Sequence, residues 1–136
     1  MHKDNHNSQQ EATVVVIDDE PLIVQTLRNV VTRLEPAWSF AAFGSAEEFL
    51  ESEQNFPCCC ILLDVNLPGM SGLDLLEILV ERDPTLPVIV MSGRIEQHAD
   101  DALGLGAFAV SPKPFDKNFL ANISDAIASQ HRPSHR

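Results

Sequence analysis

Short apolar runs rich in β-branched residues alternate along this chain with segments whose apolar residues recur at helical spacing. The runs that we predict to be strands are residues 13–17, 38–43, 59–63, 87–91 and 107–110. A helical segment follows each of them, and this order is typical of parallel strands joined by right-handed crossovers. We therefore predict a doubly wound α/β fold, in which a five-stranded parallel sheet is flanked by five helices.

Local signals mark the beginnings of the first two helices. Pro21 stands where the first helix starts. Proline is tolerated in the first turn because the N–H that it lacks would have no partner there, and Pro36 ends the same segment. Residues 45–48 match a capping box, in which Ser45 caps the helix and Glu48 reaches back over its start. A short second helix is therefore expected after Ser45.

Composition sets the broad class of the protein. The 136 residues suit one domain, and with 44% hydrophobic residues the chain can bury its own core. The 20 acidic and 9 basic side chains give a formal net charge of −11, so free nucleic acid is not an expected partner, whereas metal cations and basic protein surfaces are. No apolar run reaches the roughly 20 residues of a membrane helix, and the polar start is unlike a signal peptide. We expect a cytoplasmic protein without membrane contact.

Three consecutive cysteines, Cys58, Cys59 and Cys60, lead into the third predicted strand. An odd number of adjacent thiols makes a poor disulfide framework, and adjacent positions lack the ligand spacing of a zinc site. We interpret them as small apolar residues that enter a buried strand in the reduced state, which agrees with the cytosol.

Polar side chains collect where the predicted strands end. They are Asp18, Asp19 and Glu20 after the first strand, Asp64 after the third, Ser92 after the fourth and Lys113 close behind the fifth. Each alone has an ordinary explanation as a helix cap, a turn residue or a solvated lysine, but the carboxyl ends of parallel strands meet at one edge of a sheet. Clustered carboxylates repel, and Mg²⁺, which prefers oxygen ligands, removes that cost. A carboxylate flanked by a metal ion and an ammonium group is a competent nucleophile towards phosphorus.

Four stretches carry these polar residues, namely VVVIDDEP (residues 14–21), ILLDVNLPGMSGLDLL (61–76), PVIVMSG (87–93) and KPF (113–115). In order and spacing, the chain closely resembles the receiver domain of two-component response regulators across residues 13–128. Its first half is most similar to receivers of the nitrogen-fixation type. The resemblance implies the flavodoxin-like strand order 2-1-3-4-5. It also suggests a flexible tail at residues 1–12, a receiver domain at 13–130 and a flexible tail at 131–136.

The resemblance implies a role for each acidic residue at the strand ends. Asp64 matches the phosphoacceptor aspartate of the family. Asp19 matches the direct ligand of the Mg²⁺ cofactor, and Asp18 the ligand that acts largely through water. The backbone carbonyl of Asn66 would be the remaining ligand from the protein.

Roles for the remaining polar residues follow from the same resemblance. Ser92 matches the switch hydroxyl that moves onto the phosphoryl group, and Lys113 matches the family's lysine. The peptide bond between Lys113 and Pro114 is implied to be cis, which is otherwise a minority state. Asn66 and Arg94 match variable positions beside the phosphoryl group, so we expect them to tune its lifetime.

A receiver domain is a regulatory phosphoacceptor that catalyses its own phosphorylation and autodephosphorylation, and not a conventional enzyme. The implied partners are a sensor histidine kinase or histidine phosphotransfer protein, and a downstream output domain or partner protein. A dimer that forms on phosphorylation is a further implied interaction. No direct binding of nucleic acid by this chain is expected.

Two positions depart from the family pattern. Val110 stands where the family usually has the Tyr or Phe of a rotameric switch, and Ala109 stands where it usually has an acidic residue. The phosphoryl chemistry should survive, because the reacting groups are intact. The route by which phosphorylation reshapes the distal face is left open.

Two other functions use the same residues. An aspartate-nucleophile phosphatase would fit Asp64-Val65-Asn66, which loosely resembles the Asp-x-Asp pattern of haloacid-dehalogenase-like enzymes, but Asn66 cannot act as a general acid and the sequence contains no cap domain. A non-phosphorylated pseudo-receiver that only docks proteins is favoured slightly by the altered region around Val110. The intact acidic and lysine positions oppose it.

Overall fold

The computed structural model of the protein describes residues 12–52, 59–113 and 115–131. The strands are β1 (Thr13–Ile17), β2 (Ser39–Phe43), β3 (Cys59–Asp64), β4 (Val88–Ser92) and β5 (Ala109–Pro112). The helices are α1 (Pro21–Leu34), α2 (Ala46–Ser52), α3 (Gly72–Arg82), α4 (Ile95–Gly104) and α5 (Asn118–His131). The predicted alternation of five strands with five helices is confirmed.

All neighbouring strands of the sheet run parallel, in the order β2-β1-β3-β4-β5. In the centre of the sheet, Val15 lies opposite Ala41 of β2 and Ile61 of β3. The chain order therefore reverses direction at β1, and the switch point lies between β1 and β3. The predicted fold and strand order are confirmed, and such folds bind ligands outside the carboxyl ends of the strands at this point.

The sheet separates two apolar cores. Every residue of β1 is buried, and its side chains alternate between the two faces, as strand geometry requires. Val14 and Val16 belong to the core beneath α1 and α5, where Leu27 and Ile123 are fully buried. The other core, which includes Val15 and Ile17 of β1, lies beneath α2, α3 and α4. Burying each large aliphatic side chain contributes roughly 1.5–3 kcal/mol, so both faces of the sheet stabilise the fold.

Helices α2 and α3 begin at capping serines. Ser45 Oγ accepts a hydrogen bond of 3.0 Å from the N–H of Glu48, as the capping box predicts. The Glu48 carboxylate accepts a 2.6 Å bond from the N–H of Gly44, one residue before the capping serine. At α3, Ser71 Oγ accepts a 3.1 Å bond from the N–H of Asp74. These bonds satisfy N–H groups that the helices themselves leave without partners.

The last strand begins two residues later than the sequence predicts. The N–H of Ala107 bonds to the carbonyl of Ala102 at 3.0 Å and so still belongs to the end of α4. Gly106, with φ of 110°, supplies the left-handed turn between helix and strand. The strand instead extends through Pro112, which an edge strand tolerates because its missing N–H is not needed there.

The described residues include one residue of each predicted tail. Ala12 is fully buried, and its carbonyl accepts a 2.9 Å hydrogen bond from the N–H of Ser39 at the start of β2. Helix α5 continues to His131. The rest of both predicted tails, residues 1–11 and 132–136, lies outside the described residues.

Cys60 is a fully buried thiol in β3, in agreement with the prediction for this one of the three cysteines. Cys58 and the Lys113–Pro114 peptide bond, which was predicted to be cis, fall outside the described residues, since positions 58 and 114 are not among them. Within the described part of the chain, every helix is too short or too polar to cross a bilayer.

Candidate functional site

The carboxyl ends of four strands bring the predicted polar residues to one edge of the sheet. Asp18 directly follows β1, and its N–H donates a 3.0 Å hydrogen bond to the carbonyl of Phe43 at the end of β2. Asp64 is the last residue of β3 and Ser92 the last of β4. Lys113 follows β5, and its N–H donates a 2.9 Å bond to the Ser92 carbonyl. The backbone pairing of the sheet thus positions all four residues.

Asp18 is the buried anchor of this edge, with only 2% of its surface exposed. Its Oδ1 accepts a 2.9 Å hydrogen bond from the N–H of Glu20, which folds the chain back into the start of α1. Its Oδ2 accepts a 2.8 Å bond from the ammonium of Lys113. Because both oxygens are engaged, the orientation of this carboxylate is fixed before any ligand binds.

Lys113 is the centre of the ion pairs. Its Nζ lies 2.8 Å from Asp18 Oδ2, 3.1 Å from Glu20 Oε1 and 3.2 Å from Asp64 Oδ1. Burial lowers the pKa of Lys113, but its hydrogen bonds to Asp18 and Glu20 and the nearby negative charges more than offset this, so the pKa lies above its ordinary value. Lys113 is therefore a permanent cation at neutral pH.

The surroundings of Asp64 disfavour its charged form, whereas those of Lys113 favour the charged form. Burial, with 4% of its surface exposed, and the negative charge of Asp18 raise the pKa of Asp64 from 3.8 to about 6. Lys113 and a 3.4 Å hydrogen bond from the N–H of Asn66 to Oδ1 oppose that rise only in part. A carboxylate whose ionised form is disfavoured gains more than an exposed one from a cation or from esterification.

Three carboxylates meet at this edge and form a candidate cation site. Asp18, Glu20 and Asp64 each offer an oxygen within 4.8 Å of the others. Carboxylate oxygens are the ligands that a hard divalent cation prefers, so the donor set fits Mg²⁺. Asp19, the ligand predicted from the sequence, is not a member of this described trio. It is exposed and lines an open cleft of about 540 Å³ next to Asp18.

The loop after Asp64 is held tightly against the strand. The N–H of Gly72, at the start of α3, donates a 2.9 Å hydrogen bond to the carbonyl of Val65. A Cβ atom at Gly72 would collide with the backbone carbonyl of Asp64. Further along the loop, Glu47 of α2 accepts a 2.8 Å bond from the N–H of Met70. The backbone that presents Asp64 and Asn66 is therefore fixed by close packing and by a hydrogen bond from a neighbouring helix.

Ser92 is buried and does not point into open solvent, since 1% of its surface is exposed. Its Oγ lies 2.8 Å from Nδ1 of His98 and accepts a 2.9 Å hydrogen bond from the N–H of Arg94. The hydroxyl that the sequence assigned to a switch is thus hydrogen-bonded to the first turns of α4.

No role was assigned from the sequence to two of these residues, since Glu20 was noted only as one of the acidic residues after the first strand and His98 was not singled out. Glu20 lies next to the predicted Asp18-Asp19 pair, and the bond from its N–H to Asp18 turns its side chain towards Lys113. His98 lies one turn inside α4, and helical side chains lean towards the N-terminus of their helix. That lean was the signal that could have placed His98 beside the end of β4.

The two positions that depart from the expected pattern lie on β5. Ala109 and Val110 are half-buried, and Val110 packs on the core beneath α2, α3 and α4. Phe108, directly before the strand, is 40% exposed. The side chain at position 110 of β5 is therefore aliphatic, where the resemblance stated above would place an aromatic one.

A family model, described as the response regulator receiver domain, matches residues 14–125. Among solved structures, a response regulator receiver domain protein from Clostridium thermocellum superposes with a TM-score of 0.76 at 25% identity. The match covers 88% of this chain and 97% of that one. The residues matched by the family model include β2 to β5, all of β1 except Thr13, and the whole of the carboxylate cluster.

Characterised relatives point in the same direction. The response regulator protein TmoT of Ectopseudomonas mendocina is 32% identical over 124 residues, which are 90% of this chain and 56% of that protein. The DNA-binding transcriptional regulator NtrC of Proteus hauseri is 38% identical over 120 residues, which are 87% of this chain and 25% of that protein. The chain thus spans about half the length of one relative and a quarter of the other.

Proposed function

The chain belongs to the response regulator receiver domain family, and on that premise we propose that it is a phosphorylation-controlled signalling domain whose phosphoacceptor is Asp64. The observation that carries the proposal is the meeting of Asp18, Glu20 and Asp64 around the ammonium of Lys113. A buried carboxylate with a raised pKa beside a fixed cation is suited to accept a phosphoryl group.

The proposed reaction moves a phosphoryl group from a phosphohistidine of a sensor kinase or phosphotransfer protein. The bond between phosphorus and the imidazole nitrogen breaks as a bond from an Asp64 oxygen forms, which leaves an acyl phosphate and a free histidine. Among the described residues, the polar contacts of the Asp64 side chain fall on Oδ1. We therefore assign Oδ2 as the attacking oxygen.

Mg²⁺ fits the acidic cluster as the cofactor of this reaction. When bound, it neutralises negative charge and polarises a phosphoryl oxygen. We propose Asp18, Asp19, Asp64 and the backbone carbonyl of Asn66 as the groups that hold it. Asp19 is proposed in place of Glu20 because it matches the family's direct metal ligand and lies exposed beside Asp18.

The remaining polar residues act after the transfer. Lys113, held 3.2 Å from Asp64 Oδ1, is placed to balance the added negative charge. Ser92, at the adjacent strand end, supplies a hydroxyl that turns towards a phosphoryl oxygen. We propose that the contacts of Lys113 and Ser92 with the phosphoryl group shift α4, β5 and α5 between two packings. Hydrolysis of the acyl phosphate then resets the domain.

The output of the switch is proposed from the relatives. TmoT is a response regulator protein and NtrC a DNA-binding transcriptional regulator, and this chain covers only a part of each. We propose that the domain receives its phosphoryl group in the cytoplasm and acts on an output domain or partner protein. Direct binding of DNA by these residues is not part of the proposal, because the net charge is −11.

Intact mass spectrometry after incubation with acetyl phosphate and MgCl₂ tests the proposal. The parent should gain one phosphoryl group, and Asp64→Ala should gain none. Asp100→Asn, which changes an exposed carboxylate on α4, should react like the parent. No gain in the parent, or an equal gain in Asp64→Ala, would reject the proposal. Steady release of many equivalents of phosphate from a small ester would instead favour the phosphatase alternative.

A further inference from the structure

We propose that His98 is a positioning residue, which holds the Ser92 hydroxyl on the α4 side and so sets the cost of turning it towards a phosphoryl group. The proposal rests on the function proposed above for Ser92 and Asp64. It adds a residue outside the acidic cluster that acts through the switch hydroxyl and not on the reacting atoms.

The Ser92 hydroxyl makes two hydrogen bonds in this structure. A serine hydroxyl offers one proton and two lone pairs. The N–H of Arg94 takes one lone pair at 2.9 Å, and Nδ1 of His98 lies 2.8 Å from the same oxygen. The imidazole keeps this contact in either tautomer, because Nδ1 accepts the hydroxyl proton or donates to the second lone pair. Since Ser92 is 1% exposed, water is a poor substitute for His98.

His98 ties this hydroxyl to α4, which lies against β4 and β5. Within α4, which is described throughout, Ala102 is the only buried residue. The backbone N–H of His98 donates a 3.2 Å bond to the carbonyl of Arg94, so the main chain that carries the ring belongs to the first turn of the helix. The His98–Ser92 contact is therefore a polar link between the first turn of α4 and the end of β4.

The link has a direct consequence for the switch. When Ser92 turns to donate its proton to a phosphoryl oxygen on Asp64, its hydrogen bond with His98 is lost or weakened. That loss counts against the phosphorylated state. A side chain at position 98 that cannot hydrogen-bond removes this cost, because the Ser92 hydroxyl then has no hydrogen bond to residue 98 that turning would break.

Binding of beryllofluoride, a stable mimic of a phosphoryl group on aspartate, measures this cost in the presence of MgCl₂. His98→Phe keeps a ring but removes the hydrogen bond, and should bind beryllofluoride about threefold to tenfold more tightly, the size of one net hydrogen bond. His98→Asn keeps a polar group near the position of Nδ1 and should restore parental affinity. In a Ser92→Ala background, His98→Phe should have no effect.

A second measurement separates positioning from a merely structural role. The coupling between Ser92 and His98 is obtained from urea unfolding of the parent, the two single variants and the double variant. We expect a clear coupling in the free domain and none in the beryllofluoride complex. A structural contact would give the same coupling in both states, and that result would overturn the proposal.

The outcomes distinguish this proposal from the function on which it rests. If the parent binds beryllofluoride, Asp64→Asn does not, and His98→Phe binds with parental affinity, the positioning role is rejected while the phosphoacceptor role stands. If the parent itself fails to bind, the phosphoacceptor role and the positioning role are rejected together. Tighter binding by His98→Phe that persists in the Ser92→Ala background would also reject the positioning role.

Discussion

Asp18 and Lys113, separated by 95 positions in the sequence, form a 2.8 Å ion pair at the edge of the sheet. The Asp18 side chain is fully buried and that of Lys113 is 15% exposed, so solvent screens the pair poorly. The same ammonium also meets Glu20 and Asp64. One cation therefore balances three carboxylates, and the edge retains an excess of negative charge.

The first prediction concerns the ammonium of Lys113. Lys113→Met keeps an apolar stem but leaves Asp18 buried without its ion-pair partner, so it should lower the free energy of unfolding by about 3 kcal/mol. Lys117→Met, at an exposed position, is the control and should change it by less than about 0.5 kcal/mol. Urea unfolding in buffer free of divalent cations, followed by the fluorescence of Trp38, makes the measurement. Equal stability of the two variants would contradict the account.

The second prediction concerns the ionised form of Asp64. The folded-state pKa of about 6 lies above the ordinary value of 3.8, so the folded domain binds this proton more tightly than the unfolded chain does. The charge therefore costs stability above pH 6, and the cost fades as the pH falls towards 3.8. Without divalent cations, Asp64→Asn should be more stable than the parent at pH 7.5, by about 2 kcal/mol.

The same pair of proteins at lower pH provides the control for this sign. The excess in free energy of unfolding of Asp64→Asn over the parent should shrink steadily as the pH falls from 7 to 4. Asp100→Asn should have the same free energy of unfolding as the parent at each pH. An advantage that does not depend on pH would show that burial of charge at Asp64 is not its cause.

The third prediction separates Asp19 from Glu20 as metal ligands. Asp19→Asn should weaken Mg²⁺ binding by about tenfold or more, because it removes a proposed ligand. Glu20→Gln should weaken it by less than about threefold, since Glu20 is proposed only to pair with Lys113. Isothermal titration calorimetry with MgCl₂ gives both affinities. A larger loss in Glu20→Gln would assign the third carboxylate of the site to Glu20 instead.

The fourth prediction concerns the contact between Gly72 and Asp64. A methyl group at Gly72 collides with the Asp64 carbonyl, and this backbone cannot move without displacing the phosphoacceptor. Gly72→Ala should therefore destabilise the domain by about 2 kcal/mol and slow its reaction with acetyl phosphate. Gly104→Ala is the matched control, because a Cβ there meets nothing within 4 Å and the helix gains from alanine. Wild-type stability of Gly72→Ala would contradict the close packing of this loop.

Much of the fold was readable from the sequence because its strands carry strong local signals. The run Thr13–Ile17 is buried on both faces and was predicted at its observed bounds, as was the start of α1 at Pro21. The last strand was placed two residues too early, because the sequence does not reveal that Ala107 still closes α4. Element types follow from periodicity, whereas boundaries depend on hydrogen bonds between distant residues.

Several residues of the site could also be predicted from the sequence, because the predicted strand order determines where they lie. Parallel strands bring their carboxyl ends together, so Asp18, Asp64 and Lys113 were predicted to meet before any distance was known. Which of the three consecutive acidic side chains face Lys113 is decided by the turn after β1, where the N–H of Glu20 bonds to Asp18, and the two that face it are Asp18 and Glu20. The role of His98 was invisible for the same reason, since it depends on how a helix lies against a strand end.

Location of the phosphoryl group within the chain tests the central claim most directly. Reaction of the parent with acetyl phosphate and MgCl₂, reduction with borohydride and tandem mass spectrometry identify the modified side chain, because borohydride converts an aspartyl phosphate to homoserine. The account predicts homoserine at position 64 and at no other aspartate. Homoserine at Asp19 or Asp18, or an unmodified Asp64 in a chain that has gained phosphate, would contradict it.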